Sequence, residues 1–422
     1  MAFFNEWSAQ IKNYNKNIRL SIMATIFIQI GFGIFMVIYN FYIRELGFTE
    51  QVNGKVISMT SLATALILIP AGLLSDKIGR KKAMFFGAGA TAFLLLFRSL
   101  VEFESLLITF AFLTGITSAF LQVSSIPWLA ENSKPEQRVH LFSIHFAVMT
   151  GANVIGNFGG GVMTDIFSLY FTELISIRLT LVVGVFFFLG GLFPILKFKE
   201  TRNQQQINIQ NEPLIKKIKN NSDSFKIILL FAVAQLFIGI GAGLVIPYLN
   251  LYFADRFSAS NSVIGMIISL GQSATAVAMI IGPMVVRKLG EVKAVVFLQL
   301  MSLPFLLLTA YTENLWLAAI GFLFRQALMN AGNPIQMSLM MSKVDDSMKG
   351  LANSVNQMVF NLGWAFMGPV STGIVIMYGQ YWGYALVFSI TAFLYLIGSL
   401  YFFAVFKGIN KKGATPSTVK AV

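Results

Sequence analysis

Twelve times this chain runs apolar for close to the ~20 residues a helix needs to cross a lipid bilayer, a pattern no soluble fold absorbs. The runs fall at roughly 19–43, 52–75, 83–103, 105–129, 140–165 and 177–197 in the first half. They continue at roughly 226–253, 262–285, 292–312, 315–341, 351–377 and 381–406 in the second. Apolar residues are 56% of the 422, charged residues 12%, and the mean hydropathy is +0.72. An interior of this size does not hide that much apolar surface, so lipid must take part of it. The sequence therefore predicts an all-α integral membrane protein of twelve transmembrane helices. Most of its 41 Phe residues are expected to face lipid.

The formal charge of +13 could suggest nucleic acid, but its placement excludes that partner. Lys and Arg gather in alternate loops: Lys77, Arg80, Lys81 and Lys82; then Lys197 to Lys226; then Arg287, Lys288 and Lys293; then the tail from Lys407. The other loops lean acidic, with Glu45, Glu50, Glu102, Glu104, Asp165, Glu173, Asp255 and Glu313. By the positive-inside bias both termini are cytoplasmic, and the expected location is the plasma (cytoplasmic) membrane. Met1 to Asn17 reads as a short interfacial segment rather than a cleavable signal, because the apolar run after it is too long for one. There is no Cys, and the two histidines, His140 and His145, make no metal cluster. No Walker loop, Ser/His/Asp set or His/Glu metal set is present, so neither ATP, cofactor, metal nor enzyme chemistry is expected.

One long polar stretch, 198–225, divides the chain. The reading is a six-helix bundle over 1–197, a flexible cytoplasmic linker over 198–225, a second bundle over 226–406 and a cytoplasmic tail over 407–422. The halves repeat each other. Gly31, Gly33, Asn40 and Tyr42 match Gly241, Gly243, Asn250 and Tyr252 at an offset of 210. Gly54 and Gly79 match Gly265 and Gly290 at 211. Parallel repeats of this kind place a central site between the halves.

Between the second and third runs stands Gly72-Leu73-Leu74-Ser75-Asp76-Lys77-Ile78-Gly79-Arg80-Lys81-Lys82, a basic hairpin pressed against the membrane. It resembles the signature loop of major facilitator superfamily transporters, G-x-L-x-D-x-x-G-R-K/R-K/R. The match holds at Gly72, Leu74, Asp76, Gly79, Arg80, Lys81 and Lys82. With the helix count and the repeat, the resemblance covers nearly the whole chain. It implies two pseudo-symmetric six-helix bundles that rock around a midplane cavity. It also implies a conformational gate of Gly72, Asp76, Gly79, Arg80, Lys81 and Glu131. In the family the Asp meets the N-terminal end of the eleventh helix, here near Gly350 to Asn353. Arg80 pairs near the end of the fourth, where Glu131 and Glu136 are available. The corresponding second-half loop departs from the pattern, with Pro283, Arg287 and Glu291 at the places of Gly72, Asp76 and Arg80. Gly156-Asn157-Phe158-Gly159-Gly160-Gly161 is a degraded form of the G-P-x-x-G-G element of the family's antiporters, and plain helix packing explains it equally well.

Arg325 lies about ten residues into the tenth run, where a charge is costly and points to function. An anionic substrate group, backbone carbonyls, or the amides Asn356, Gln357 and Asn361 could receive it. No Asp or Glu falls near the middle of any run, so His145 is the candidate proton carrier. The resemblance makes the first, fourth, seventh and tenth helices line the cavity. That selects Gln29, Phe32, Gln122, Gln235 and Arg325 as substrate-binding candidates, with Asn356, Gln357 and Asn361 beside them. The expected function is secondary active transport by alternating access: proton-coupled efflux of amphipathic drug-like or metabolic molecules by a monomer. Two alternatives stand: import or facilitation of a small organic anion through Arg325, and a non-transporting receptor or scaffold on the same fold.

Overall fold

The computed structural model describes residues 14–133, 138–199, 218–345 and 348–407. In the first half, α1 is Lys16–Glu45, α2 Glu50–Ile78, α3 Arg80–Leu100, α4 Glu104–Glu131, α5 Arg138–Ser168 and α6 Glu173–Gly190, the last continued by Leu192–Leu196. In the second, α7 is Ser222–Val245 and runs through a 3-10 turn, Ile246–Tyr248, into Leu249–Phe257. Then come α8 at Asn261–Leu289, α9 at Glu291–Tyr311 and α10 at Leu315–Lys343. Lys349–Phe406 is one helical stretch broken at Gly379 (φ 75°, ψ 177°), and its two arms are α11 and α12. Nine helical stretches among the described residues are long and apolar enough to cross a membrane, one of them being the joined α11 and α12. Adding α5 and α10, whose polar residues dilute their hydropathy, gives twelve crossings.

Local chemistry sets the ends. The Asn15 side chain caps α1 by accepting from the Ile18 amide (2.9 Å), and Asn314 caps α10 by accepting from Trp316 and Leu317. Gly79 (φ 101°) and Gly290 (φ 77°) each end one helix and start the next without a linker, a conformation that excludes most other residues. The seventh span tightens into the 3-10 turn at Ile246–Tyr248, because Pro247 has no amide hydrogen to continue the ladder. Both edges of the expected linker, 198–225, carry described structure. Phe198 is buried and stacks on Trp128 (4.6 Å), and α7 already begins at Ser222.

The two halves are built alike. In the first, α1 packs on α5 and α6, and α4 packs on α2 and α3. In the second, α7 packs on the α11–α12 stretch, and α10 packs on α8 and α9. The repeated residues do the same work in each. Gly31 lets α1 approach α6 at Gly184 and Phe188, as Gly241 lets α7 approach α12 at Thr391 and Tyr395. Tyr42 donates to the Val101 carbonyl (3.0 Å), and Tyr252 to that of Thr309.

Between halves, α2 packs on α11 and α5 on α8. A continuous apolar core joins them at the end opposite the termini, running from Ile43 and Val52 to Leu249 and Ile264. Toward the terminus end the core divides. One cluster holds Ile18, Leu129 and Ile144 of the first half, and another holds Phe231, Leu339 and Phe406 of the second. The molecule is therefore sealed at one end and parted at the other.

Candidate functional site

The seal centres on the repeated asparagines. Asn40 on α1 donates to the Asn250 side-chain oxygen (2.9 Å) and to the Pro247 carbonyl (2.7 Å). Asn250 donates to the carbonyl of Val37 (2.9 Å). Val37 and Pro247 are themselves 210 apart, so the clasp is reciprocal and obeys the internal repeat. Both asparagines are buried. Around them Arg44 bridges Glu50 and Asp255 (2.8 Å each), and Tyr384 donates to Asp255 (2.8 Å). On the flank, Asp165 accepts from the Ser262 amide (2.8 Å).

Deeper in, carboxamides bridge the halves between α5 and α8. Gln272 donates to the Asn153 side-chain oxygen (2.9 Å), which also accepts from Asn157 (2.9 Å). Asn153 in turn donates to Gln29 of α1 (3.4 Å). Ser269 donates to the Val154 carbonyl (3.0 Å).

Toward the terminus end, α7, α10 and α11 enclose a pocket of about 230 Å³. Gln235, Asn333, Gln336, Asn356 and Gln357 supply its polar surface. Phe231, Phe360, Met337 and Met340 supply the apolar surface. Among the described residues that line it, none is ionisable. Among the described residues the side chains of Gln235, Gln336, Asn356 and Gln357 have no hydrogen-bond partner in the protein, so their donors and acceptors are available to whatever fills the space. On α10 the lining residues 333, 336, 337 and 340 follow the i, i+3, i+4, i+7 rhythm of one helix face.

Three of the expected substrate residues, Gln235, Asn356 and Gln357, meet in this pocket. Asn361 turns back to donate to the Gln357 carbonyl (2.9 Å), and Gln122 is exposed. Gln29 belongs to the α5–α8 bridge, and Phe32 packs edge-on against Phe188 of α6 (5.0 Å). Arg325, expected to face the cavity, is only 3% exposed and points toward α12. There it donates to the Tyr395 hydroxyl (2.6 Å) and to the Gln326 side chain (2.7 Å). The reason is angular. Gln326 stands two turns before Asn333 on the pocket face, and Arg325, one residue earlier, is rotated about 100° away. His145 is buried in α5, and its Nδ1 has no hydrogen-bond partner among the described residues.

At the hairpin after α2, Arg80 is buried and pairs with Glu131 (3.3 Å) and Ser75 (3.1 Å). Lys81 donates to the Phe198 carbonyl (2.8 Å). These contacts tie α2, α3, α4 and α6 together inside one half. The Asp76 side chain and Glu136 lie outside what the structure describes. Gly72, expected to allow close packing, has open space around it, because the halves are parted at this end. In the degraded glycine element, Gly156 and Gly160 press on α1, and Gly161 on the start of α8.

The family model for the Major Facilitator Superfamily matches residues 22–235 and again 231–421. The multidrug resistance protein MdtG of Proteus mirabilis (strain HI4320) is 24% identical over 395 residues, covering 90% of this chain and 94% of that protein. The quinolone resistance protein NorA of Staphylococcus aureus (strain MSSA476) is 22% identical over 380 residues, covering 85% and 89%. Among solved structures, a bacterial homolog of the human lysosomal transporter Spinster, inward-facing and unoccupied, superposes with a TM-score of 0.76 at 13% identity, covering 95% of this chain and 98% of that one. The nucleoside transporter NupG gives 0.73 at 16% identity, covering 93% and 99%. At such identities these structures share the fold alone.

Proposed function

Because this chain belongs to the major facilitator superfamily and is a membrane transporter rather than an enzyme, we propose that it exports amphipathic organic molecules by alternating access, driven by protons. One observation carries the reading. A pocket of amides, Phe and Met opens toward the terminus end while the opposite end is sealed. The basic loops gather at the terminus end, so on this reading that end faces the cytoplasm of a plasma-membrane protein. The conformation then presents the pocket to compounds inside the cell, and rocking of the halves carries them out. Relatives described as multidrug and quinolone resistance proteins support the direction.

The hairpin contributes the gate. Arg80, Lys81 and Glu131 keep the first half rigid at the parted end, and Asp76 meets α11 when that end closes. His145, buried within α5, carries the proton. Arg325 is already engaged by Tyr395 inside the second half, which gives the anion-import alternative no clamp to use.

The test is accumulation of a panel of dyes and drugs in inside-out vesicles under an imposed pH gradient. Gradient-dependent accumulation, abolished by Asp76→Asn, is the expected result. His145→Gln should keep downhill exchange and lose the dependence on the gradient. Absence of gradient-driven accumulation for every compound would overturn export.

A further inference from the structure

The chemistry of the pocket restricts the class of substrate more tightly than export alone requires. Among the described residues five carboxamides line it, four of them without a hydrogen-bond partner, and no acid or base stands among them. A carboxamide offers two N–H donors and one carbonyl acceptor, and none of these carries a net charge. Such a surface satisfies a neutral molecule that both donates and accepts hydrogen bonds. An ion entering it would shed water without meeting a countercharge, which is unfavourable in a site walled by Phe and Met. Three arginines of the spanning helices are committed elsewhere. Arg325 is held by Tyr395 and Gln326, Arg98 lies over the Tyr39 ring (4.2 Å), and Arg44 pairs with Glu50 and Asp255. Phe231 and Phe360 present ring surface for an aromatic body, and the flexible thioethers of Met337 and Met340 adapt to its outline.

We propose that this pocket selects uncharged, ring-bearing molecules that carry both hydrogen-bond donors and acceptors, and rejects organic cations and anions of the same size. Gln235, Gln336, Asn356 and Gln357 are the specificity-determining residues. The proposal rests on the transport reading above but makes a separate demand, since an exporter of charged drugs would need a countercharge that this pocket does not supply.

Three congeners of one body decide it: biphenyl carboxamide, biphenyl carboxylate and biphenyl methylammonium. Each is titrated calorimetrically into the full chain in lipid nanodiscs. The carboxamide should bind at least about tenfold more tightly than either ion. Gln357→Leu should weaken the carboxamide by about tenfold, the effect of losing one hydrogen bond. Gln357→Glu should strengthen the methylammonium compound by about the same factor. If a Gln357 variant fails to fold, Asn356→Leu and Asn356→Asp replace it. Equal or tighter binding of either ion, no binding by any congener, or indifference to the substitutions would overturn the proposal. Carboxamide binding without transport in vesicles would sink export and leave the charge selection standing. Vesicle transport of the ions would do the reverse.

Discussion

At the scale of single residues, Arg325 shows how far sequence reasoning reaches into a membrane protein. That a charge buried in mid-helix must have a partner follows from composition alone. Which partner depends on a rotation of one residue, and no carboxylate stands near the middle of a run to announce it. The answer, Tyr395, sits 70 positions away on α12. The stripe of residues 333, 336, 337 and 340 was legible in principle, because its spacing marks one helix face. Only the fold shows that α7 and α11 complete it with Gln235, Asn356 and Gln357. A structural role for Arg325 has a measurable signature. Tyr395→Phe leaves a buried guanidinium short of an acceptor and should cost about 1.5–3 kcal/mol in thermal unfolding of the detergent-solubilised protein. Adding Arg325→Leu should recover part of that loss, since replacing both partners removes the unpaired group. Carboxamide binding should persist in the double variant. Loss of binding at unchanged stability would instead put Arg325 in contact with substrate.

Among elements, the glycines decide which helices can touch. The repeat was legible because the same backbone approaches recur in each half and only Gly permits them: Gly54 of α2 meets Gly368 and Thr372 of α11, and Gly265 of α8 meets Asn157 of α5. What the sequence did not separate was packing from signature in Gly156 to Gly161. The structure divides that element by face. A side chain at Gly156 would run into the Ile30 carbonyl of α1, whereas nothing lies within 4 Å of a Cβ added at Gly159. Gly156→Leu should therefore destabilise by at least about 1–3 kcal/mol and yield aggregated protein on size exclusion. Gly159→Leu, the same change three residues on, should stay monodisperse with a melting temperature near that of the parent. Similar behaviour of the two variants would show that the α1–α5 approach does not depend on Gly156.

For the whole molecule, the conformational balance rests on what seals the end opposite the termini, and the asparagine clasp is its buried polar centre. The matched positions of Asn40 and Asn250 were visible in the sequence, but nothing there said that the two bind each other across the halves. Their reciprocity makes a quantitative demand. Each side chain spans the same gap and reaches the carbonyl that its partner's half supplies, Pro247 for Asn40 and Val37 for Asn250. Removing either amide should favour the state opened at that end by about 1–3 kcal/mol, a shift of about 5–150-fold in its population. Arg44–Asp255 and Asp165–Ser262 remain, so the change is a redistribution and not a collapse. The chain has no Cys, so Thr49→Cys and Ala259→Cys can place one spin label on each half at the sealed end. Distance distributions should gain a longer component in Asn40→Ala and a comparable one in Asn250→Ala. Because the two groups share one set of hydrogen bonds, the double variant should open little further than either single one. Additive shifts would mean that the asparagines act independently, and unchanged distances would mean that the ion pairs and the apolar core hold the seal without them.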